Sequence, residues 1–313
     1  MKVSVLLMTY NHERFIQQAI ESVLSQEVTF DIEIVVSEDR STDRTREIVL
    51  AYQQRHPDKF RLLLSDRNLR NNEVVARGLR AASGLYIAML DGDDYWTSPH
   101  KLQKQADFLD RHAECAVCFH NAAVVHEDGT RPTYHWNPPG QKKISTLEDI
   151  WRGNFITTAA TMFRRGLIRE VPAWYIPLFP ITDWPLHILN AEHGTIGYLD
   201  EVMSVYRQHD AGLYSPMTEI EKQAATGRFY TTMNRNLRFK YDRMVRDACA
   251  RYFFEWAEEY VRRGEPARAA ACLVKSLAGG GIDHPISVRN LARLAVSIGA
   301  LPFMRHREAT SAR

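Results

Sequence analysis

Residues 86–96 read Tyr86-Ile87-Ala88-Met89-Leu90-Asp91-Gly92-Asp93-Asp94-Tyr95-Trp96. An apolar run followed at once by three acids within four residues is a buried strand that delivers a charged turn, with two aromatic residues behind it to pack that turn down. Outward from this stretch, apolar runs at 3–8, 32–37, 60–64 and 85–90 alternate with helix-periodic segments near 12–25, 42–55, 72–82 and 99–111. That alternation predicts an α/β fold of parallel strands joined by crossover helices. Asn11 and Ser41 stand where helix N-caps belong.

In an open parallel sheet, ligands bind beyond the carboxyl ends of the strands. The residues found there are Thr9-Tyr10-Asn11, then Glu38-Asp39-Arg40-Ser41-Thr42-Asp43, then Asp91-Gly92-Asp93-Asp94. Three polar, mostly acidic clusters thus converge on one rim. The first glycine of the chain is Gly78, so neither a dinucleotide fingerprint nor a P-loop can follow the first strand. Three carboxylates so close together repel one another unless a cation sits among them, and oxygen ligands of this kind suit Mg²⁺ or Mn²⁺ bridging to a diphosphate. Taken alone, the acidic tetrad also fits a solvated turn, and Asp39 also fits an acid at a helix N-terminus.

With 313 residues, 45% of them hydrophobic and 25% charged, the chain can bury one full α/β core and an appended element. Its 40 basic and 38 acidic residues nearly cancel to a formal charge of +2, which argues against a nucleic-acid partner. Cys115, Cys118, Cys249 and Cys272 are too scattered for a disulfide framework and lack the second pair of a zinc site. The run 1–8 is too short for a signal segment and no stretch approaches the ~20 apolar residues of a membrane span, so the expected location is cytoplasmic.

These residues resemble family 2 glycosyltransferases of GT-A fold. Thr9-Tyr10-Asn11, Glu38-Asp39-Arg40-Ser41-Thr42-Asp43, Ala76-Arg77 and Asp91-Gly92-Asp93-Asp94 are the family's landmarks in order, over about the first 110 residues. A further acid on the acceptor side is matched by Asp183 in Thr182-Asp183-Trp184, followed by Tyr206-Arg207 and His209. The resemblance implies a Rossmann-like, nucleotide-diphospho-sugar transferase fold with a mixed, mainly parallel sheet and a C-terminal helical extension. It implies that Thr9, Tyr10 and Asn11 contact the nucleotide and that Asp39 accepts from the base N3–H, which favours UDP or dTDP. Arg77, Asp91 and Asp93 belong to the same donor site, Asp94 with Asp93 would coordinate Mn²⁺ or Mg²⁺, and Asp183 would be the catalytic base of an inverting transfer. Glu38, Trp184, Arg207 and His209 are further candidates: His209 toward the diphosphate, Trp184 toward a sugar ring or the core. Glu38 stands where the family usually has Asp, and Arg40 where it often has Gly.

The expected division is a catalytic domain 1–215, with a nucleotide-sugar half 1–112 and an acceptor half 113–215, then a helical extension 216–313. Within the extension, Trp256 to Tyr260, Gly264 and an Ala-rich run to Leu277 read as a helical hairpin. The stretch 286–304 sets Val288, Leu291, Leu294, Ala295, Ile298, Leu301 and Phe303 against Arg289, Arg293, Arg305 and His306. It is either a membrane-surface helix near a lipid-linked acceptor or, the favoured reading, a helix packed on the domain with a solvated basic face. The expected partners are a nucleotide-sugar donor and a glycan or lipid-linked acceptor. A sugar nucleotidyltransferase is disfavoured because Thr9-Tyr10-Asn11-His12-Glu13 replaces the glycine-rich basic loop such enzymes carry; a non-catalytic sugar-nucleotide-binding scaffold remains the alternative.

Overall fold

The computed structural model describes residues 1–280 and 286–311, with side chains described as far as residue 300. The first half alternates as its hydrophobic periodicity predicts: β1 (Val3–Thr9), α1 (Ile16–Leu24), β2 (Ile32–Glu38), α2 (Thr45–Arg55), β3 (Phe60–Leu64), α3 (Glu73–Ala81) and β4 (Tyr86–Asp91). Then come β5 (Tyr95–Trp96), α4 (Lys101–Arg111), β6 (Cys115–His126), β7 (Tyr134–His135), β8 (Ile144–Ser145), α5 (Leu147–Arg152), β9 (Met162–Arg164), α6 (Trp184–Ala191) and β10 (Thr195–Gln208).

The strands form one sheet in the order β3-β2-β1-β4-β9-β6-β10-β5, with β7 on β6 and β8 on β10. β1 runs parallel to both β2 and β4, β2 to β3, and β6 to β10. β9 is antiparallel to β4 and β6 and joins the two parallel halves. The sheet is therefore mixed and mainly parallel. Every residue of β1 is buried, as a central strand covered on both faces requires. On one face Val3, Val5 and Leu7 pack with Ile16, Ile20 and Val23 of α1 and Leu102, Ala106 and Leu109 of α4. Burial of each such side chain contributes about 1.5–3 kcal/mol, which fixes the rim where β1, β2 and β4 end.

The expected caps at Asn11 and Ser41 are corrected. The helices begin later, at Ile16 and Thr45, and both side chains serve loop-to-loop contacts instead. The chain divides into two compact units, 1–150 with 154–225, and 151–153 with 226–313. The division falls within α7 (Glu219–Asn236). In the second unit α8 (Asp242–Arg262) and α9 (Pro266–Gly280) form a helical hairpin that turns at Gly264, whose φ of +71° lies in the left-handed region. Phe253, Phe254, Ala257 and Tyr260 meet Ala269, Cys272 and Leu273, joined by Leu291, Leu294 and Ile298 of α10 (Val288–Ser311). The described apolar stripe of α10 is thus packed on its own unit, while Val288 and Val296 are exposed. The side chains of Leu301, Phe303, Arg305 and His306 lie outside the described residues. Among the described residues no helix is long and apolar enough to cross a membrane.

Candidate active site

The three rim clusters are tied together by hydrogen bonds that continue the sheet ladders outward. Asp39 N–H donates to Thr9 O at 3.0 Å and Gly92 N–H to Met8 O at 2.8 Å. Asn11 N–H donates to Ser41 Oγ at 3.0 Å, and Asn11 Oδ1 accepts from Thr42 N–H at 2.8 Å. Asn11 is left-handed at φ 54°, a conformation Asn tolerates, and Arg40 is left-handed at φ 62°. Gly92 is required by close approach: a Cβ there would stand 2.7 Å from Thr9 Oγ1 and 2.8 Å from His12 Nδ1. Thr9 is buried and Tyr10 half-buried.

Behind the second cluster, Arg77 spends its guanidinium on the framework. It donates to Ser37 Oγ at 2.8 Å, Ser65 Oγ at 2.6 Å and Glu38 O at 2.9 Å. Glu38 is fully buried, paired with Arg46 and accepting from Ser41 N–H. Asp39 is held in turn, accepting from Ser65 Oγ at 3.1 Å and from Leu69 N–H at 3.0 Å on Oδ1 and 3.1 Å on Oδ2. An ionised carboxylate has about four lone-pair positions, so Asp39 retains capacity for another donor.

The acids of the third cluster separate into distinct environments. Asp94 is 1% exposed and its Oδ1 accepts from Arg207 N–H at 2.8 Å, anchoring the loop to β10. Burial, with Asp93 and Asp91 alongside, pushes its carboxyl well above the ordinary range. Asp93 faces two imidazoles: His209 Nε2 at 3.1 Å and His12 Nε2 at 3.6 Å from Oδ2. Burial would raise Asp93, but His12 and His209 outweigh it and hold the carboxyl below its ordinary value. Asp91 is pushed up to about 8 by burial and by the carboxylates of Asp93 and Asp183. Arg207 braces the loop: it donates to Asp93 O and Gln18 Oε1, and its guanidinium lies 5.0 Å from the Phe15 ring and 4.5 Å from the Tyr95 ring.

Asp183 reaches this rim from the segment between β9 and α6. It is the N-cap of α6, with Oδ1 accepting from Trp184 N–H at 2.7 Å and Pro185 in the first turn. Asn154 Nδ2 lies 3.3 Å from both carboxylate oxygens, and Thr158 Oγ1 lies 3.4 Å from Oδ2. His187 Nε2 is 3.8 Å from Oδ2, too long for a hydrogen bond. Burial would raise Asp183, but the facing His187, Trp184 N–H and Asn154 hold it below the ordinary carboxylate value. Trp184 is 8% exposed with Nε1 donating to Ile150 O at 2.7 Å, a core-packing placement. His12, Asn154, Thr158 and His187 join the site without having been singled out from the sequence. Only the helical spacing of His187, four residues after Asp183, was readable there.

The carboxyl cluster is under-compensated: burial and the neighbouring acids push Asp91 up to about 8 and Asp94 well above the ordinary range, a repulsion that a bound divalent cation would relieve. Carboxylate oxygen with imidazole nitrogen at Asp93 and His209 suits Mn²⁺ better than Mg²⁺, which prefers oxygen. Among the described residues no three His, Cys, Asp or Glu side chains converge in ligand geometry.

A Mycobacterium tuberculosis protein, uncharacterised by name, is 32% identical over 287 residues, 90% of this chain and 80% of that one. The crystal structure of S. aureus TarS in complex with UDP-GlcNAc matches with a TM-score of 0.68 at 20% identity, over 95% of this chain and 87% of that one. The mannosyltransferase PcManGT of Pyrobaculum calidifontis, in complex with GDP-Man and Mn²⁺, matches with a TM-score of 0.56 at 18% identity, over 99% of this chain and 83% of that one. At such identities the likeness is one of fold, the GT-A type. The sequence profile of glycosyl transferase family 2 matches residues 4–171, more than half of the chain and the whole acidic rim, and this protein belongs to that family as a glycosyltransferase.

Proposed function

We propose that this glycosyltransferase inverts the anomeric centre of a UDP- or dTDP-sugar, transferring the sugar to a hydroxyl of a glycan or lipid-linked acceptor in surface polysaccharide synthesis. The observation that carries this reading is the place of the Asp183 carboxylate at the head of α6, beside Asp91 and within reach of Asn154 Nδ2 and Thr158 Oγ1, with its carboxyl held below the ordinary value. An acceptor hydroxyl is a poor nucleophile until its proton is removed as the bond forms. Asp183 would take that proton while the acceptor oxygen bonds to the anomeric carbon and the bond to the diphosphate oxygen breaks on the opposite face. The proton ends on Asp183 and the electron pair on the leaving nucleoside diphosphate.

Asp94 and Asp93 were both expected at the cation. Asp93 with His209 fits that role better, since Asp94 is buried against Arg207 N–H. Bound there, Mn²⁺ or Mg²⁺ would neutralise charge building on the leaving diphosphate. Thr9, Tyr10 and Asn11 would line the nucleotide and Asp39 would accept from the base, positioned by Ser65 and Leu69. Arg77 would act on the donor through this framework, holding Ser37, Ser65 and Glu38 O in place. The UDP-GlcNAc named with TarS supports a uridine donor, and the Mn²⁺ named with PcManGT supports the cation.

The test is to incubate the enzyme with α-linked UDP- and dTDP-sugars, Mn²⁺ and a pool of glycan acceptors, and to read the anomeric proton of the product by NMR. A β-linked product is expected. An α-linked product refutes inversion.

A further inference from the structure

A cleft of about 300 Å³, at the small end of the range for ligand sites, opens beside the proposed base. Tyr134, Trp136, Asn137, Gln141, Asn154 and Phe155 line it, and no Lys, Arg, Asp or Glu does. Asn154 belongs to the cleft wall and to the Asp183 environment at once, with its Nδ2 3.3 Å from both carboxylate oxygens.

The wall is held rigidly. Trp136 N–H donates to Ala122 O at 2.8 Å, and the Trp136 ring meets Tyr206 edge-on at 5.8 Å. Asn137 N–H donates to Asn121 Oδ1 and Asn121 Nδ2 donates to Asn137 O, each at 2.9 Å. Asn137 Nδ2 donates to Phe155 O at 2.8 Å. Asn137 is 3% exposed, yet its Oδ1 has no hydrogen-bond partner among the described residues. Tyr134 meanwhile leaves 46% of its surface open.

Aromatic faces with side-chain amides and no charge match the two surfaces of an uncharged sugar: C–H bonds on the ring face and hydroxyls at the edge. A phosphate or uronate would meet no cation here. We propose that this cleft is an acceptor subsite for a neutral sugar residue, stacked on Trp136 and Tyr134 and hydrogen-bonded by Gln141 and Asn154, with one hydroxyl presented to Asp183. This rests on the reading of Asp183 as the base of sugar transfer.

The experiment applies the whole protein, with UDP and Mn²⁺, to an array of immobilised glycans terminating in neutral pyranoses or in uronic acids. Titration with UDP runs in parallel on every variant as the check on folding. Expected is retention on neutral glycans that weakens about tenfold or more in Trp136→Ala and in Gln141→Ala, with Trp136→Phe close to wild type and UDP affinity preserved. Retention confined to uronic acids, retention indifferent to both alanine variants, or no retention while UDP binds would each overturn the subsite. If wild type bound neither UDP nor any glycan, the donor-site reading would fail and the subsite with it.

Discussion

Asp183→Asn separates the two tasks that one side chain performs. As N-cap, Asp183 accepts Trp184 N–H at 2.7 Å, and Asn caps as well as Asp, so α6 keeps its first turn. With the amide oxygen kept at the cap, Asn154 still bonds it at 3.3 Å, and Thr158 Oγ1 accepts from the new amide N–H in place of donating to Oδ2. What disappears is the proton acceptor. Loss of a general base lowers turnover about 10²- to 10⁴-fold, or ~2.7–5.5 kcal/mol of barrier. Asp183→Ala should lose turnover equally and also about 1 kcal/mol of stability through the vacated cap. The pH profile adds a second signature. Asp183 is held below the ordinary value of about 3.9, and a base must be ionised to act, so wild-type turnover should not fall through an Asp183 titration anywhere between about pH 5 and 8. The assay is release of nucleoside diphosphate in the presence of acceptor, with donor affinity by calorimetry and thermal unfolding as controls. An Asn variant that turned over within about threefold of wild type, with donor binding intact, would refute the assignment of the base.

Three further outcomes are expected. Asp93→Asn and His209→Ala should abolish the Mn²⁺-dependent part of UDP affinity; Asp94→Ala should instead leave Arg207 N–H unpaired and cost about 1–3 kcal/mol in chemical denaturation. The reverse pattern would move the cation to Asp94. Asp39→Ala should weaken UDP and dTDP binding more than it slows turnover, while an equal loss for CDP would count against base recognition. Arg40→Gly should raise stability by about 0.5–1 kcal/mol, because relief of about 1–2 kcal/mol of left-handed strain exceeds the entropy gained by the unfolded chain. A lower unfolding midpoint would mean that the Arg40 side chain contributes contacts that outweigh the strain.

The donor half was legible because local pattern and global position agree there. Apolar runs placed the first four strands to within a residue or two, and the acids that follow them fall on the rim as parallel topology demands. The misplaced caps at Asn11 and Ser41 have a physical reason: both side chains are good caps, but loop–loop bonding competes for them and a turn at 13–15 intervenes before α1. Arg40 was noticed only as a departure from a family pattern, and its left-handed φ of 62° explains why glycine is common there. Asn154 and Thr158 were not legible, because one lies in an irregular segment and the other opens a single 3-10 turn, and they come to Asp183 only when β9 folds the chain back beside β4. The proposed acceptor cleft was hidden similarly: Pro132, Pro138, Pro139 and Gly140 give this stretch the composition of a loop, whereas the pairing of Tyr134 and His135 with β6 turns it into a wall.

A sugar-nucleotide transferase must first bind its nucleotide. Titration of the protein with UDP, dTDP, GDP and CDP by calorimetry, each with Mn²⁺ and with EDTA, should give binding of UDP or dTDP that depends on Mn²⁺. Equal affinity in EDTA, or no binding of any of the four, would contradict it.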